Sequence, residues 1–188
     1  MRIISGSFKG KKILPPKDKL TRPLKDLTKE SIFNIIKHSK LMNVELENSY
    51  ILDLFSGVGS FGLECLSREA ASVTFLENYK DVLRILKKNI DNLKQQTNST
   101  IIEKDIFLEN TLKLLNNKFD IIFMDPPYKE KKLSFLIEKI IKLKLLKDNG
   151  IIIIHRHKKE KDPFPKEFNL ILKKDYGISK ILFGNILS

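Results

Sequence analysis

From Tyr50 onward, the apolar positions switch repeatedly between strand-like runs and helical spacing. Tyr50-Ile51-Leu52-Asp53-Leu54-Phe55 reads as a buried strand, Phe61 to Arg68 as a helix and Ser72 to Leu76 as a second strand. Val82, Leu86, Ile90 and Leu93 recur at helical intervals. Thr100 to Glu103 predicts a short strand, and Leu108, Leu112 and Leu115 a helix. Phe119 to Met124 predicts a strand, Leu133 to Leu146 a helix, and Gly150 to Ile154 a strand with four consecutive isoleucines. Near-continuous apolar strands separated by helices imply a parallel sheet covered on both faces. The end of the chain breaks this alternation. Only residues 173–178 separate the strands Phe168 to Leu172 and Ser179 to Phe183. A parallel crossover needs about a dozen residues or more, so these two must pair antiparallel.

The first 42 residues follow a different pattern. Arg2-Ile3-Ile4-Ser5 and Lys11-Lys12-Ile13-Leu14 predict two short strands, with Gly6 and Gly10 available for the turn and Pro15-Pro16 ending the unit. Thr21-Arg22-Pro23 then opens a helix whose apolar stripe is Leu24, Leu27, Ile32, Ile35 and Ile36, running to about Lys40. Residues 43–49 are polar and loop-like. The expected organisation is therefore an N-terminal extension over residues 1–42 and an α/β domain over 43–188. The 188-residue length suits one domain with a small appendage.

Composition narrows the setting. The longest apolar runs are too short to cross a bilayer, and the N-terminus lacks the apolar core of a signal peptide. One cysteine, Cys65, permits no internal disulfide. Together these predict a cytoplasmic protein with no membrane partner. The net charge of +12 favours a polyanionic partner such as nucleic acid. Arg2, Lys9, Lys11 and Lys12 concentrate basic charge on the predicted hairpin and are candidate RNA contacts. The competing reading is an edge strand protected by lysines from aggregation.

Gly57-Val58-Gly59-Ser60-Phe61-Gly62, after the first strand, fits the dinucleotide fingerprint G-x-G-x-x-G, and Glu77 follows Gly57 by twenty residues. In a dinucleotide domain such a loop faces a pyrophosphate. Here Asp53 stands at the end of the same strand, where it would repel a pyrophosphate and attract an ammonium. That favours S-adenosylmethionine, which carries an ammonium, a carboxylate and a sulfonium. The candidate cofactor residues are Asp53, Phe55, Ser56, Gly57, Gly59, Gly62 and Asn78, with Glu77 for the ribose, and Asp105 and Ile106 for the adenine. Glu77 can accept from ribose hydroxyls under either cofactor, so it does not separate the two.

Asp125-Pro126-Pro127-Tyr128, after the fourth predicted strand, separates them. It resembles the signature of methyltransferases that act on the exocyclic amino nitrogens of bases. Such a nitrogen is a poor nucleophile because its lone pair is delocalised into the ring. Asp125 and the Pro126 carbonyl are two acceptors that would free that pair, with Asp125 also bordering the cofactor. Pro126 and Pro127 stiffen the loop, and Tyr128 offers a face for an unpaired base. No histidine has a partner at metal-ligand spacing, so no metal is expected.

The closing hairpin resembles that of S-adenosylmethionine-dependent methyltransferases. Their fold is a Rossmann-like, class I α/β architecture with a seven-stranded, mostly parallel sheet. Met1-Arg2-Ile3-Ile4-Ser5-Gly6, Thr21-Arg22-Pro23, Lys29 to Asn34, Asp53 to Gly57, Gly62 to Arg68 and Asp125 to Tyr128 are together similar to the bacterial 16S ribosomal RNA (guanine-N2)-methyltransferases. The resemblance runs essentially end to end. It implies S-adenosylmethionine as donor, a guanine of small-subunit RNA or of an assembling subunit as acceptor, and a place for Arg22 near cofactor or RNA. A monomer is expected.

Three departures stand out. Leu27-Thr28 replaces a basic and an aliphatic residue, Glu69 replaces a customary glycine, and His155-Arg156-His157 stands where the family often has Glu-His-Asp. Both histidines are expected at the surface or facing RNA. The alternatives are an amino-methyltransferase for another RNA or DNA base, and an RNA-binding ribosome assembly factor without turnover.

Overall fold

A computed structural model describes residues 1–17 and 24–187. The Thr21-Arg22-Pro23 helix opening, and with it Arg22, lies outside the described residues.

The chain runs through α1 (Asp26–His38), β1 (Tyr50–Leu54), α2 (Ser60–Ser67), β2 (Ser72–Leu76), α3 (Lys80–Asn92), β3 (Ser99–Ile102), β4 (Phe119–Met124), α4 (Leu133–Lys142), β5 (Leu146–His157), β6 (Phe168–Tyr176) and β7 (Ser179–Ile186). Seven strands form one sheet in the order β3-β2-β1-β4-β5-β7-β6. The first five are parallel, and β7 pairs antiparallel with both β5 and β6. This is the predicted class I methyltransferase architecture.

Alternation along each strand splits the core in two. Ile51, Val73, Phe75, Ile121, Phe123, Ile151, Ile153, Ile181 and Phe183 pack under α1, α2 and α3, together with Phe33, Phe61 and Leu86. Their neighbours Leu52, Leu54, Ile122, Met124, Ile152, Ile154 and Leu182 face α4 through Leu133, Leu136, Ile137 and Ile140. Both faces are thus apolar, which is why the strands read as unbroken runs.

Several expectations need correction. The N-terminal hairpin contains a single bridge, Arg2 to Lys12, rather than two strands. Its backbone is instead tied to α2. The Ile4 and Ser5 N–H groups donate to Glu64 at 2.8 and 3.0 Å, and the Phe8 N–H donates to Ser67 Oγ at 3.0 Å. Gly6 has φ +82°, and a Cβ there would stand 1.7 Å from the Ser67 carbonyl oxygen, so only glycine fits.

The stripe assigned to α1 is also shifted. Leu27 is 75% exposed, and Thr28, Lys29, Ile32, Phe33 and Ile36 are buried in its place. The helix expected over Leu108–Leu115 is one 3-10 turn, Leu112–Leu114, with Leu108 exposed. α4 stops at Lys142. Lys144 adopts φ 51°, and Leu146 already belongs to β5, which extends to His157.

Candidate active site

The parallel strands all end at one edge of the sheet, where the order reverses between β1 and β4, a common ligand crevice in such folds. The loop after β1 makes three left-handed steps, at Phe55 (φ 58°), Gly57 (φ 56°) and Gly59 (φ 83°). A bulky residue such as phenylalanine holds this conformation at a cost of about 1–3 kcal/mol, which marks a backbone forced into shape by its surroundings.

Glu77, at the end of β2, holds this loop. It accepts the Gly57 N–H through Oε2 at 2.8 Å and the Asn78 and Tyr79 N–H groups through Oε1 at 2.9 Å each. A carboxylate has about four acceptor positions, so one remains for a ribose hydroxyl. The Ser56 hydroxyl bonds the carbonyls of Asp53 and Leu76, joining the ends of β1 and β2.

Asp53 is 1% exposed, and its Oδ2 accepts the Gly62 N–H in the first turn of α2 at 3.0 Å. Burial raises its pKa from 3.8 to about 8 against that hydrogen bond, with Asp125 and Glu77 adding negative charge nearby. Gly62 itself is a packing position, because a Cβ there would stand 2.4 Å from Phe75 Cε1. Asp105 is partly buried and accepts the Phe107 N–H through Oδ1 at 2.9 Å, while Ile106 is buried in the α4-side core.

Asp53 and Glu77 have no ion-pair partner among the described residues, in a chain of net charge +12. The Glu77 carboxylate at a left-handed glycine loop, with Asp53 beside it able to ionise when a cation offsets its burial, fits a cationic ligand such as S-adenosylmethionine. The two oppose a pyrophosphate.

The Asp125-Pro126-Pro127-Tyr128 loop leaves β4 beside the end of β1, with the Asp125 N–H 3.4 Å from the Leu54 carbonyl. Pro126 is buried, Pro127 exposed, and Asp125 and Tyr128 lie between. Here the structure corrects the reading of β5. His155 is buried rather than surface-facing, and its Nδ1 lies 2.7 Å from Asp125 Oδ1. The cause is register: β4 and β5 are parallel with Met124 opposite Ile154, so the next pair along is Asp125 and His155. His157 is half-buried, with its ring 5.3 Å from that of Tyr128.

Sequence reasoning also missed Arg156. It is fully buried and pairs with Asp162 through Nη2 at 2.7 Å and Nε at 3.0 Å. The same guanidinium donates to the carbonyls of Pro127 at 3.2 Å, Tyr128 at 3.5 Å and Glu130 at 2.9 Å. It therefore latches the proline loop to residues beyond β5. The strand position and the arginine were visible in the sequence, but nothing there announced the partners.

Of the candidate RNA contacts, Arg2, Lys9, Lys11 and Lys12 are exposed, and the Lys11 Nζ stands 5.1 Å from the centre of the Phe8 ring. Among the described residues, no helix is long and apolar enough to cross a membrane.

Comparison with known proteins bears on the family and the fold. The profile of the family described as Conserved hypothetical protein 95 matches residues 1–185. Ribosomal RNA small subunit methyltransferase D of Buchnera aphidicola is 35% identical over 187 residues, 98% of this chain and 90% of that protein. Among solved structures, a putative methylase from Haemophilus influenzae is 31% identical with TM-score 0.75, covering 100% of this chain and 98% of that one. A putative methyltransferase from Escherichia coli is 26% identical with TM-score 0.81, covering the same shares.

Proposed function

This chain belongs to the family of the ribosomal RNA small subunit methyltransferases D, and on that premise we propose that it methylates the exocyclic N2 of a guanine in 16S ribosomal RNA. One observation carries this reading. The carboxyl groups of Asp53 and Glu77, neither in an ion pair among the described residues, stand at the same sheet edge as Asp125-Pro126-Pro127-Tyr128. On this reading a cation site and an amino-group site are neighbours.

S-adenosylmethionine, the proposed donor, supplies a methyl group on a sulfonium. Asp53, Phe55, Ser56, Gly57, Gly59, Gly62, Glu77, Asn78, Asp105 and Ile106 would hold it, with Glu77 toward the ribose and Asp53 releasing its proton as the bound cation offsets its burial. Asp125 accepts one N–H of the guanine amino group and the Pro126 carbonyl the other. Tyr128 stacks on the base, which must leave its helix to reach it, at a gain of about 1–3 kcal/mol. Asp125 then takes the surplus proton. Residues 1–42 are proposed as an RNA-binding, cofactor-covering extension through Arg2, Lys9, Lys11, Lys12 and Arg22. The setting proposed is a cytoplasmic monomer acting on ribosomal RNA or an assembling small subunit, without a metal.

The test is nucleoside mass spectrometry of small-subunit RNA treated with this protein and labelled donor. The expected product is N2-methylguanosine, lost in Asp125→Ala while RNA binding survives. Label on another base would replace the guanine assignment. RNA binding without label at any concentration would favour an assembly factor.

A further inference from the structure

Nothing in the proposed transfer uses His155, yet its imidazole stands in contact with Asp125. The two side chains are 11% and 21% exposed, and Nδ1 is 2.7 Å from Oδ1. An ionised carboxylate has only lone pairs to offer, so the hydrogen between them is assigned to Nδ1. The imidazole also meets the Tyr128 ring edge-on, with centroids 6.4 Å apart and planes at 67°. It is thus packed against both the acceptor and the stacking platform of the proline loop.

We propose that His155 is a positioning residue for methyl transfer. It occupies Asp125 Oδ1 and so fixes Oδ2 as the oxygen that meets the substrate amino group. This rests on the reading of Asp125 given above. The terminal torsion of an aspartate is broad and roughly two-fold, so a carboxylate tied only by its backbone wanders over tens of degrees. A donor locked in a strand at one oxygen removes that freedom.

The proton count is consistent with this role. The nitrogen lone pair forms the new N–C bond as the C–S bond breaks, and its electron pair leaves with sulfur. Nitrogen then holds one hydrogen too many. It passes to Asp125 Oδ2 and on to water, while Nδ1 keeps its own hydrogen throughout. The role belongs to this chain's His155-Arg156-His157. A glutamate at 155 would set a second carboxylate beside Asp125 in place of a donor.

The experiment compares His155→Ala, His155→Asn and His155→Gln in the full chain with small-subunit RNA and S-adenosylmethionine. It also uses calorimetric titration with S-adenosylmethionine alone. Asparagine carries its amide nitrogen close to the Nδ1 position, whereas glutamine carries it one atom further out. The alanine variant is expected to lose about 10- to 100-fold in kcat, the scale of an ångström-sized misplacement, with donor affinity and both KM values within about twofold. Asparagine should recover most of the loss and glutamine little.

An alanine variant with parental kcat, or a loss confined to KM, overturns the proposal. So does asparagine performing no better than glutamine, a comparison that stands even if the alanine variant fails to fold. Asp125→Asn is measured in parallel. If it keeps parental turnover, the reading of Asp125 falls and takes this role with it. If it is inactive while His155→Ala is not, only the role of His155 falls.

Discussion

Lys29 and Glu64 form an ion pair sealed from solvent, with Nζ 3.3 Å from Oε2 and neither side chain exposed. Glu64 simultaneously accepts the N–H groups of Ile4 and Ser5, and the Lys29 ammonium donates to the Arg2 carbonyl at 2.9 Å. Burial pulls the Lys29 pKa down, and the attraction of Glu64 opposes that pull. This pair is the buried fastening of the N-terminal segment to α2.

Lys29→Met would leave Glu64 buried with Arg68 as its remaining charged partner, Nε to Oε1 at 2.9 Å, beside the Ile4 and Ser5 N–H groups. Removing one member of a buried pair costs about 3–5 kcal/mol. A loss near the lower end is expected in urea unfolding, with faster amide exchange at Ile4 and Ser5. An unfolding midpoint within error of the parent would show the pair contributes nothing net.

Asp53 makes stability depend on pH. Its folded pKa, raised from 3.8 to about 8, means the folded chain keeps a proton that the unfolded chain has released. Its contribution to stability is therefore largest below about pH 4, declines as pH rises towards 8 and is flat above that. Asp53→Asn keeps an acceptor for the Gly62 N–H and cannot ionise. Thermal scans from pH 5 to 8.5 should show the variant gaining on the parent as pH rises, by several degrees at the upper end. Parallel curves would mean Asp53 does not carry this burden.

Glu69 stands where the resemblance drawn from the sequence implies a glycine, and the backbone accounts for that expectation. It follows the C-cap of α2 with φ 73°, the left-handed conformation that ends many helices, and its side chain is exposed. Glu69→Gly should relieve about 1 kcal/mol of backbone strain. For a chain of this size, that corresponds to a rise of about 2–4 °C in the melting temperature. A lower melting temperature would contradict this account.

The exposed Arg2, Lys9, Lys11 and Lys12 are proposed to meet RNA phosphates. Neutralising all four with glutamine should weaken RNA binding, and most at low salt. The slope of log affinity against log salt should fall by about 3, given roughly 0.7 per contact on single strands. An unchanged slope would return these residues to the role of solvated surface charge.

The strands were readable because both sheet faces are apolar, so runs such as Ile151 to Ile154 leave no other placement. What failed to read were choices decided by distant partners. Lys29 is buried and Leu27 exposed because Glu64, on another helix, rewards the lysine. Leu108 and Leu112 have helical spacing, but Asp105 ties the Phe107 N–H and the Thr111 hydroxyl into a turn first. In the candidate site, the glycine loop and the proline loop are local motifs and announce themselves. The His155 and Arg156 contacts depend on how β4 and β5 align across thirty residues of intervening chain, and no local pattern encodes an alignment.

β7 lies between β5 and β6 in the sheet yet is made after both. During synthesis, therefore, β5 has a bare flank until the residues of β7 emerge from the translating ribosome. The strand that holds the proline loop is the last parallel strand to gain its second neighbour. The sheet edge that carries the proline loop is thus completed only once the β6–β7 hairpin has been made.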